Sequence, residues 1–121
     1  MATGRLAVDP IGEELARWGK VAWIETTGRT SGNPVTAAVG FLEDADGSLL
    51  IAAGSELADW ARNLVANPRC HVTISDEVGW YDAVVADTDE QARAVVGLIL
   101  KYGTPAERLG RGPVFRLTPV T

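Results

Sequence analysis

Cysteine, histidine and methionine are nearly missing from this chain of 121 residues, with one copy of each. A lone cysteine, Cys70, excludes an internal disulfide and a cysteine-rich metal site, so a reducing cytoplasmic compartment is expected and bound zinc is not. The lone histidine, His71, has no matched serine, cysteine or carboxylate motif and gives little support for acid–base catalysis. Positive charge is also scarce: eleven basic residues against sixteen acidic ones leave a net charge of −5, which argues against nucleic acid as a partner. No run approaches the roughly 18 apolar residues of a membrane span, and the N-terminus lacks a basic region followed by an apolar one. Neither a membrane span nor a secretory signal is expected.

What is present fits one globular domain over residues 1–121. The composition is 46% hydrophobic, and a chain of this length buries roughly two-thirds of its unfolded surface on folding. Asp9-Pro10 is a helix opening, and Ile11, Leu15, Trp18 and Ala22 recur at helical spacing, so a short helix is expected over about residues 10–20. Strands are expected at Val21–Thr27, Val35–Leu42 and Leu49–Ala53, the last two joined by a hairpin carrying Asp46-Gly47. Ser55 is expected to cap a helix running to Ala66, stopped by Asn67-Pro68. Strands follow at Arg69–Ser75 and Val78–Ala86. Thr88 with Gln91 then reads as a capping box for a helix ending near Tyr102, and Pro113–Thr118 as a closing strand. Six strands in mostly hairpin order with three helices predict an α+β protein whose antiparallel sheet curls into a barrel.

The most informative segment is Glu25-Thr26-Thr27-Gly28-Arg29-Thr30-Ser31-Gly32-Asn33-Pro34, a turn between two strands. Glycines permit a close backbone approach, and amides clustered with an arginine suit a phosphate; glycine and asparagine also serve plain hairpin turns. The anion reading gains from Gly54-Ser55, expected at a helix N-terminus where free amides favour negative charge. Trp60 either stacks on a ligand ring or packs in the core. Arg62 and Asn63 fall on the more polar side of their helix, facing a ligand or solvent, with Asn63 also able to satisfy backbone groups. His71 points away from the face shared by Cys70, Val72 and Ile74, and Cys70 reads as a small core residue. Trp80 and Tyr81 take opposite faces of one strand, one lining a pocket and the other packing. Tyr102 either swings over a cleft as a phenolic donor or sits at a helix end. The carboxylates Asp44, Asp46, Asp87 and Asp89 read as turn and cap chemistry.

Three groups of residues together carry a family resemblance: Thr26-Thr27-Gly28-Arg29-x-Ser31-Gly32-x-Pro34, then Trp60-x-x-Asn63-Leu64-x-Ala66-Asn67-Pro68, and Arg111-x-Pro113-Val114-Phe115. They resemble the deazaflavin-dependent nitroreductases in their actinobacterial quinone-reductase branch, over nearly all of the chain after residue 20. The resemblance implies a split β-barrel of the pyridoxamine-phosphate-oxidase-like type that binds coenzyme F420 and passes hydride to quinones, nitroaromatics or activated alkenes. It implies cofactor contacts at Arg29, Thr30 and Ser31 for the phosphate, and at Val35, Thr36, Ala37 and Ala38 from the next strand. Ala53, Gly54 and Ser55 would lie near the ring, with Trp60, Ala61, Arg62 and Asn63 from the helix. Tyr102 is the expected substrate-side proton donor.

The chain departs from the family where Thr30 replaces a common lysine and Val35 a common arginine, leaving one of three expected cations around the phosphate. Each lost charge-assisted contact is worth about 1.5–3 kcal/mol. Two alternatives stand beside F420: an FMN-binding reductase of the same barrel type, and a non-catalytic carrier of a lipid, haem-like or other apolar ligand. A small-molecule substrate and a homodimer are the expected partners.

Overall fold

The computed structural model describes residues 21–53, 58–102 and 112–120. Within them, strands β1 (Ala22–Thr27), β2 (Pro34–Val39), β3 (Phe41–Glu43) and β4 (Leu49–Ala52) precede helix α1 (Asp59–Ala66). Strands β5 (Arg69–Ile74) and β6 (Glu77–Val85), helix α2 (Thr88–Tyr102) and strand β7 (Val114–Pro119) follow. Period-two burial sets the faces. In β1, Ala22, Ile24 and Thr26 are buried while Glu25 and Thr27 are exposed. Val35, Ala37 and Val39 of β2 pair with those buried residues and face inward with them.

All strands pair antiparallel, in the order β2-β1-β5-β6-β7-β4-β3. β2 and β3 occupy the two ends of that order, yet only Gly40 separates them in the chain. The sheet's two edges are therefore brought together, and the sheet curls into a half-barrel. The expected six strands and three helices become seven strands and two helices among the described residues, because the expected strand Val35–Leu42 breaks at Gly40. The expected helix at 10–20 lies outside the described residues.

Tertiary contact explains the break. A Cβ on Gly40 would stand 3.1 Å from Cε2 of Tyr102, at the end of α2. That ring is tethered, since the Phe41 N–H donates to Tyr102 Oη at 3.2 Å. Beside it, Lys101 Nζ donates to the Phe41 carbonyl at 2.7 Å and sits 3.6 Å above the Phe41 ring. The last turn of α2 thus clamps the bend.

Two apolar clusters hold the layers. The barrel interior packs Ile24, Val39, Phe41, Leu49, Ile51, Val72, Phe115 and Leu117 against Ala61 and Leu64 of α1, which plugs it. On the outer face of β4 and β7, Leu50, Ala52 and Val114 meet Ala94 and Leu98 of α2. Each fully buried large aliphatic or aromatic side chain stabilises by about 1.5–3 kcal/mol. A charge network reinforces the second layer. Arg116 of β7 pairs with Glu90 of α2 and, at 2.9 Å, with Asp44 in the β3–β4 turn, which also meets Arg93 at 3.2 Å. Hydrogen bonds from Arg93 and Arg116 hold the Asp44 carboxyl below its ordinary range.

Two local expectations shift by a residue. Asp87, not Thr88, caps α2, its Oδ1 accepting from the Glu90 N–H at 2.8 Å. The β5–β6 turn is Ser75-Asp76, with Ser75 in the left-handed region at φ 55°.

Gly40→Ala is expected to cost about 1–3 kcal/mol of stability through overpacking against the tethered ring. In a Tyr102→Ala background the same change becomes nearly neutral. Chemical denaturation of the four variants measures the coupling.

Candidate functional site

The turn between β1 and β2 is wound tightly on itself. The Gly28 N–H donates to Asn33 O at 2.7 Å, the Gly32 N–H to Gly28 O at 2.9 Å, and the Asn33 N–H to Ser31 Oγ at 3.1 Å. Gly32 takes φ +76°, and a Cβ on Gly28 would lie 2.7 Å from Ser31 Oγ, so both glycines are required. The expected amide-lined cradle is correspondingly reduced: these three N–H groups close the turn itself. The tip amides of Thr30 and Ser31 have no protein partner among the described residues.

Arg29 is turned against α1, and Asn63 is the reason. Asn63, only 1% exposed, accepts through Oδ1 from the Arg29 backbone N–H at 3.1 Å and from Arg29 Nη1 at 2.8 Å. Its Nδ2 donates to Thr26 Oγ1 at 3.1 Å, and that hydroxyl in turn donates to Val35 O at 3.4 Å. A buried polar group is tolerated only when its hydrogen bonds are made, and no buried side-chain nitrogen or oxygen among the described residues lacks a partner. The guanidinium also meets Asp59, through Nη2 to Oδ1 at 3.2 Å and Nη1 to the carbonyl at 3.5 Å. One arginine thereby joins the turn to the first turn of α1.

Helix α1 begins at Asp59 with Ala58 as its N-cap and no side-chain cap, later than the expected start at Ser55. Its first turn carries the acidic Asp59, so an anion does not meet an open helix end there. Gly54 and Ser55 lie outside the described residues. The polar side assigned to Arg62 and Asn63 divides: Arg62 is exposed and Asn63 buried. Trp60 is half-buried with its ring 5.9 Å from that of Phe115, and Ala61 and Ala53 belong to the core. Val35 and Ala37 face inward, whereas Thr36 and Ala38 face outward, so these four do not form one side-chain wall. Tyr102 is not swung over a cleft; its hydroxyl is engaged with the Phe41 backbone.

In the sequence, Thr26 stands within the turn motif without an assigned role, and Asp59 is not singled out. Thr26 sits at a buried alternation position, and Asp59 lies one helical turn before Asn63, the two signals that would have found them.

Elsewhere, Tyr81 faces the interior and Trp80 the exterior, where its ring lies 4.6 Å from that of His71. Burial pushes the Cys70 thiol up to about 12, with Asp82 adding to the shift, which leaves it protonated and unreactive. A cleft of about 170 Å³ is lined by Glu43, Val72, Ile74, Glu77, Val78, Gly79 and Tyr81. It lies toward the end of β5 and β6 away from the Arg29 turn. Its two carboxylates disfavour a phosphate, so this cleft is not the anion site. Burial, followed by the charges of Glu43, Cys70 and Glu77, raises the Tyr81 phenol.

Asn63→Ala is expected to destabilise the fold by about 2–3 kcal/mol, because the Arg29 N–H and the Thr26 hydroxyl lose a buried partner. Thermal and denaturant unfolding measure it, and the exposed Arg62→Ala is the control expected to stay within about 0.5 kcal/mol.

The chain matches the F420H(2)-dependent quinone reductase family over residues 2–111. No curated relative matches significantly. Among solved structures it is similar to the heme storage protein HutZ of Vibrio cholerae, at TM-score 0.72 and 18% identity over 93% of this chain and 90% of that one. An F420-H2-dependent reductase, FDR-A, aligns at TM-score 0.68 and 22% identity over 81% and 93% of the two chains. An F420 reductase aligns at TM-score 0.62 and 21% identity over 90% and 93%. At such identities these structures establish the shared half-barrel fold. The family match, extending through the Arg29 turn and the Asn63 helix, establishes more: the chain belongs to the F420H(2)-dependent quinone reductase family, oxidoreductases whose cofactor is the deazaflavin coenzyme F420.

Proposed function

We propose that this protein uses reduced F420 to convert small oxidised substrates, namely quinones, nitroaromatics or activated alkenes, by hydride transfer. The observation that carries the reading is the Arg29 guanidinium, fixed by Asn63 on the same turn as the amides of Thr30 and Ser31, which have no protein partner among the described residues. Those groups fit an anionic phosphate, with one full cation and two neutral donors. The hydroxyls of Thr30 and Ser31 supplement them where the family's lysine is missing.

When bound, the reduced deazaflavin supplies the hydride. The chain's own residues bind and orient. Arg29, Thr30 and Ser31 grip the phosphate, and Asn63 holds Arg29 in place. Val35, Thr36, Ala37 and Ala38 approach the cofactor along β2, with backbone groups or alternate side chains on either face. Gly54 and Ser55 are assigned to the ring, and Trp60 and Arg62 close that side from α1, while Ala53 and Ala61, buried in the core, support it from behind. Tyr102 holds the β2–β3 bend, and a donor role for its hydroxyl requires release from Phe41. Orientation and exclusion of water carry such chemistry without an acidic or basic side chain.

A cytoplasmic homodimer completes the proposal. The exterior of β6 exposes Val78 by 57%, Trp80 by 53% and Val84 by 61%, an apolar strip suited to pairing, and one solved neighbour is described as a domain-swapped dimer. No helix among the described residues is long and apolar enough to cross a membrane. The carrier reading keeps one specific support, the His71–Trp80 pair on that exposed face, in a fold shared with a heme storage protein. FMN as the cofactor has no observation of its own in its favour.

Arg29→Ala is expected to weaken F420 binding more than tenfold, as the quench of tryptophan fluorescence during titration reports; unchanged affinity removes Arg29 from the phosphate role. Trp80→Glu is expected to convert the dimer to a monomer at micromolar concentration, read by sedimentation velocity. A wild-type monomer in the same run dismisses the pairing.

A further inference from the structure

Resting on the phosphate reading of Arg29, we propose that Asp59 is an internal rival for the guanidinium and sets how tightly an anionic cofactor binds. The two edges of the guanidinium are held differently. Nη1 lies 2.8 Å from the side-chain oxygen of Asn63, which is 1% exposed and bound on its other side to Thr26. That edge is fixed, because releasing it would orphan a buried amide. Nη2 lies 3.2 Å from Asp59 Oδ1, whose side chain is 74% exposed, while the Arg29 side chain is 29% exposed.

The second edge is the negotiable one. An exposed carboxylate leaves an ion pair at little cost, since water replaces the lost contact. A phosphate that takes Nη2 therefore displaces Asp59 and remains a near neighbour of its charge. The same carboxylate is favoured where it stands by the first turn of α1. It acts as the protein's own stand-in for the ligand's anionic oxygen, satisfying Arg29 in the free protein and opposing the phosphate during binding. Arg29 is the one cationic residue from the end of β1 through β2, so the rival charge meets a single positive group. Its influence on affinity is correspondingly large.

The test is a titration of F420 into the wild type, Asp59→Asn, Asp59→Glu, Arg29→Ala and the Arg29→Ala/Asp59→Asn double variant. Tryptophan fluorescence follows binding, inorganic phosphate serves as a competing probe, and circular dichroism with thermal melting verifies that α1 persists. Asp59→Asn is expected to tighten binding about three- to tenfold, the range for removing one screened like charge. It is expected to lower the concentration of phosphate needed for competition in the same ratio. Asp59→Glu, which keeps the charge, stays within about twofold of the wild type, and the gain disappears in the double variant. Unchanged or weaker binding by a folded Asp59→Asn, with Arg29→Ala still impaired, overturns the rivalry and leaves the phosphate reading intact. If Arg29→Ala binds normally, the phosphate reading fails and the rivalry falls with it.

Discussion

The side-chain amide of Asn63 is the contact on which the site depends. It is one planar group, almost wholly withdrawn from water, and it reaches the β1–β2 turn through Arg29 and the barrel wall through Thr26. The chemistry selects asparagine. An aliphatic residue of similar size would leave the Arg29 N–H and the Thr26 hydroxyl without partners, while aspartate would bury a charge and present no donor to Thr26. Because one oxygen receives both the backbone and the guanidinium of Arg29, the arginine's position is fixed at two points. A turn that would otherwise be a mobile hairpin tip becomes part of the barrel.

The opposite corner of the sheet is fixed by different means. The continuous stretch from β2 to β3 must bend so that its halves reach the two ends of the strand order, and the bend is held by Tyr102 and Lys101 from α2. α2 is itself anchored by Leu98 and Ala94 in an apolar seam and by the Arg116–Glu90 and Arg116–Asp44 pairs. The half-barrel is thus braced by α1 from inside and α2 from outside. The Arg29 turn projects from a frame with little freedom to relax.

Much of this frame was legible in the sequence because strands and turns are specified locally. Alternation placed Cys70 and Val72 inward and His71 outward, and the Asp46-Gly47 turn announced the β3–β4 hairpin. The misses have a common physical origin in partners distant along the chain. A glycine at position 40 reads as a tolerable residue within a strand until Tyr102 arrives to occupy the space of its Cβ. Asn63 adjoins the solvated Arg62 in sequence, but the helix turns it toward Thr26, 37 residues earlier, and Arg29, 34 residues earlier. The start of α1 was misplaced because Ser55 offers the better local cap, while the helix begins beside Asp59, where its acidic first turn meets Arg29. The family motifs drew attention to the Arg29 turn and to the helix of Asn63; the fold adds that Asn63 joins the two.

The distribution of charge gives the molecule a direction. At one end, Glu43 and Glu77 flank the Tyr81 cleft and repel anions. At the other, Arg29 and the tip amides of Thr30 and Ser31 gather hydrogen-bond donors, but Asp59 meets the one positive charge, on a chain of net charge −5. Long-range attraction therefore does little to recruit a phosphorylated ligand, and short-range hydrogen bonding must carry recognition. On the proposed phosphate reading, that favours a large cofactor able to make further contacts along β2 and α1 over a small free anion, which would have only the turn to hold it. The only cysteine is buried and protonated, and the only histidine faces outward against Trp80, so neither offers a redox group to the Arg29 turn. On the proposed reading, a reaction at this site accordingly draws its electrons from the bound F420, and the protein's contribution lies in where it holds that cofactor and what it keeps away.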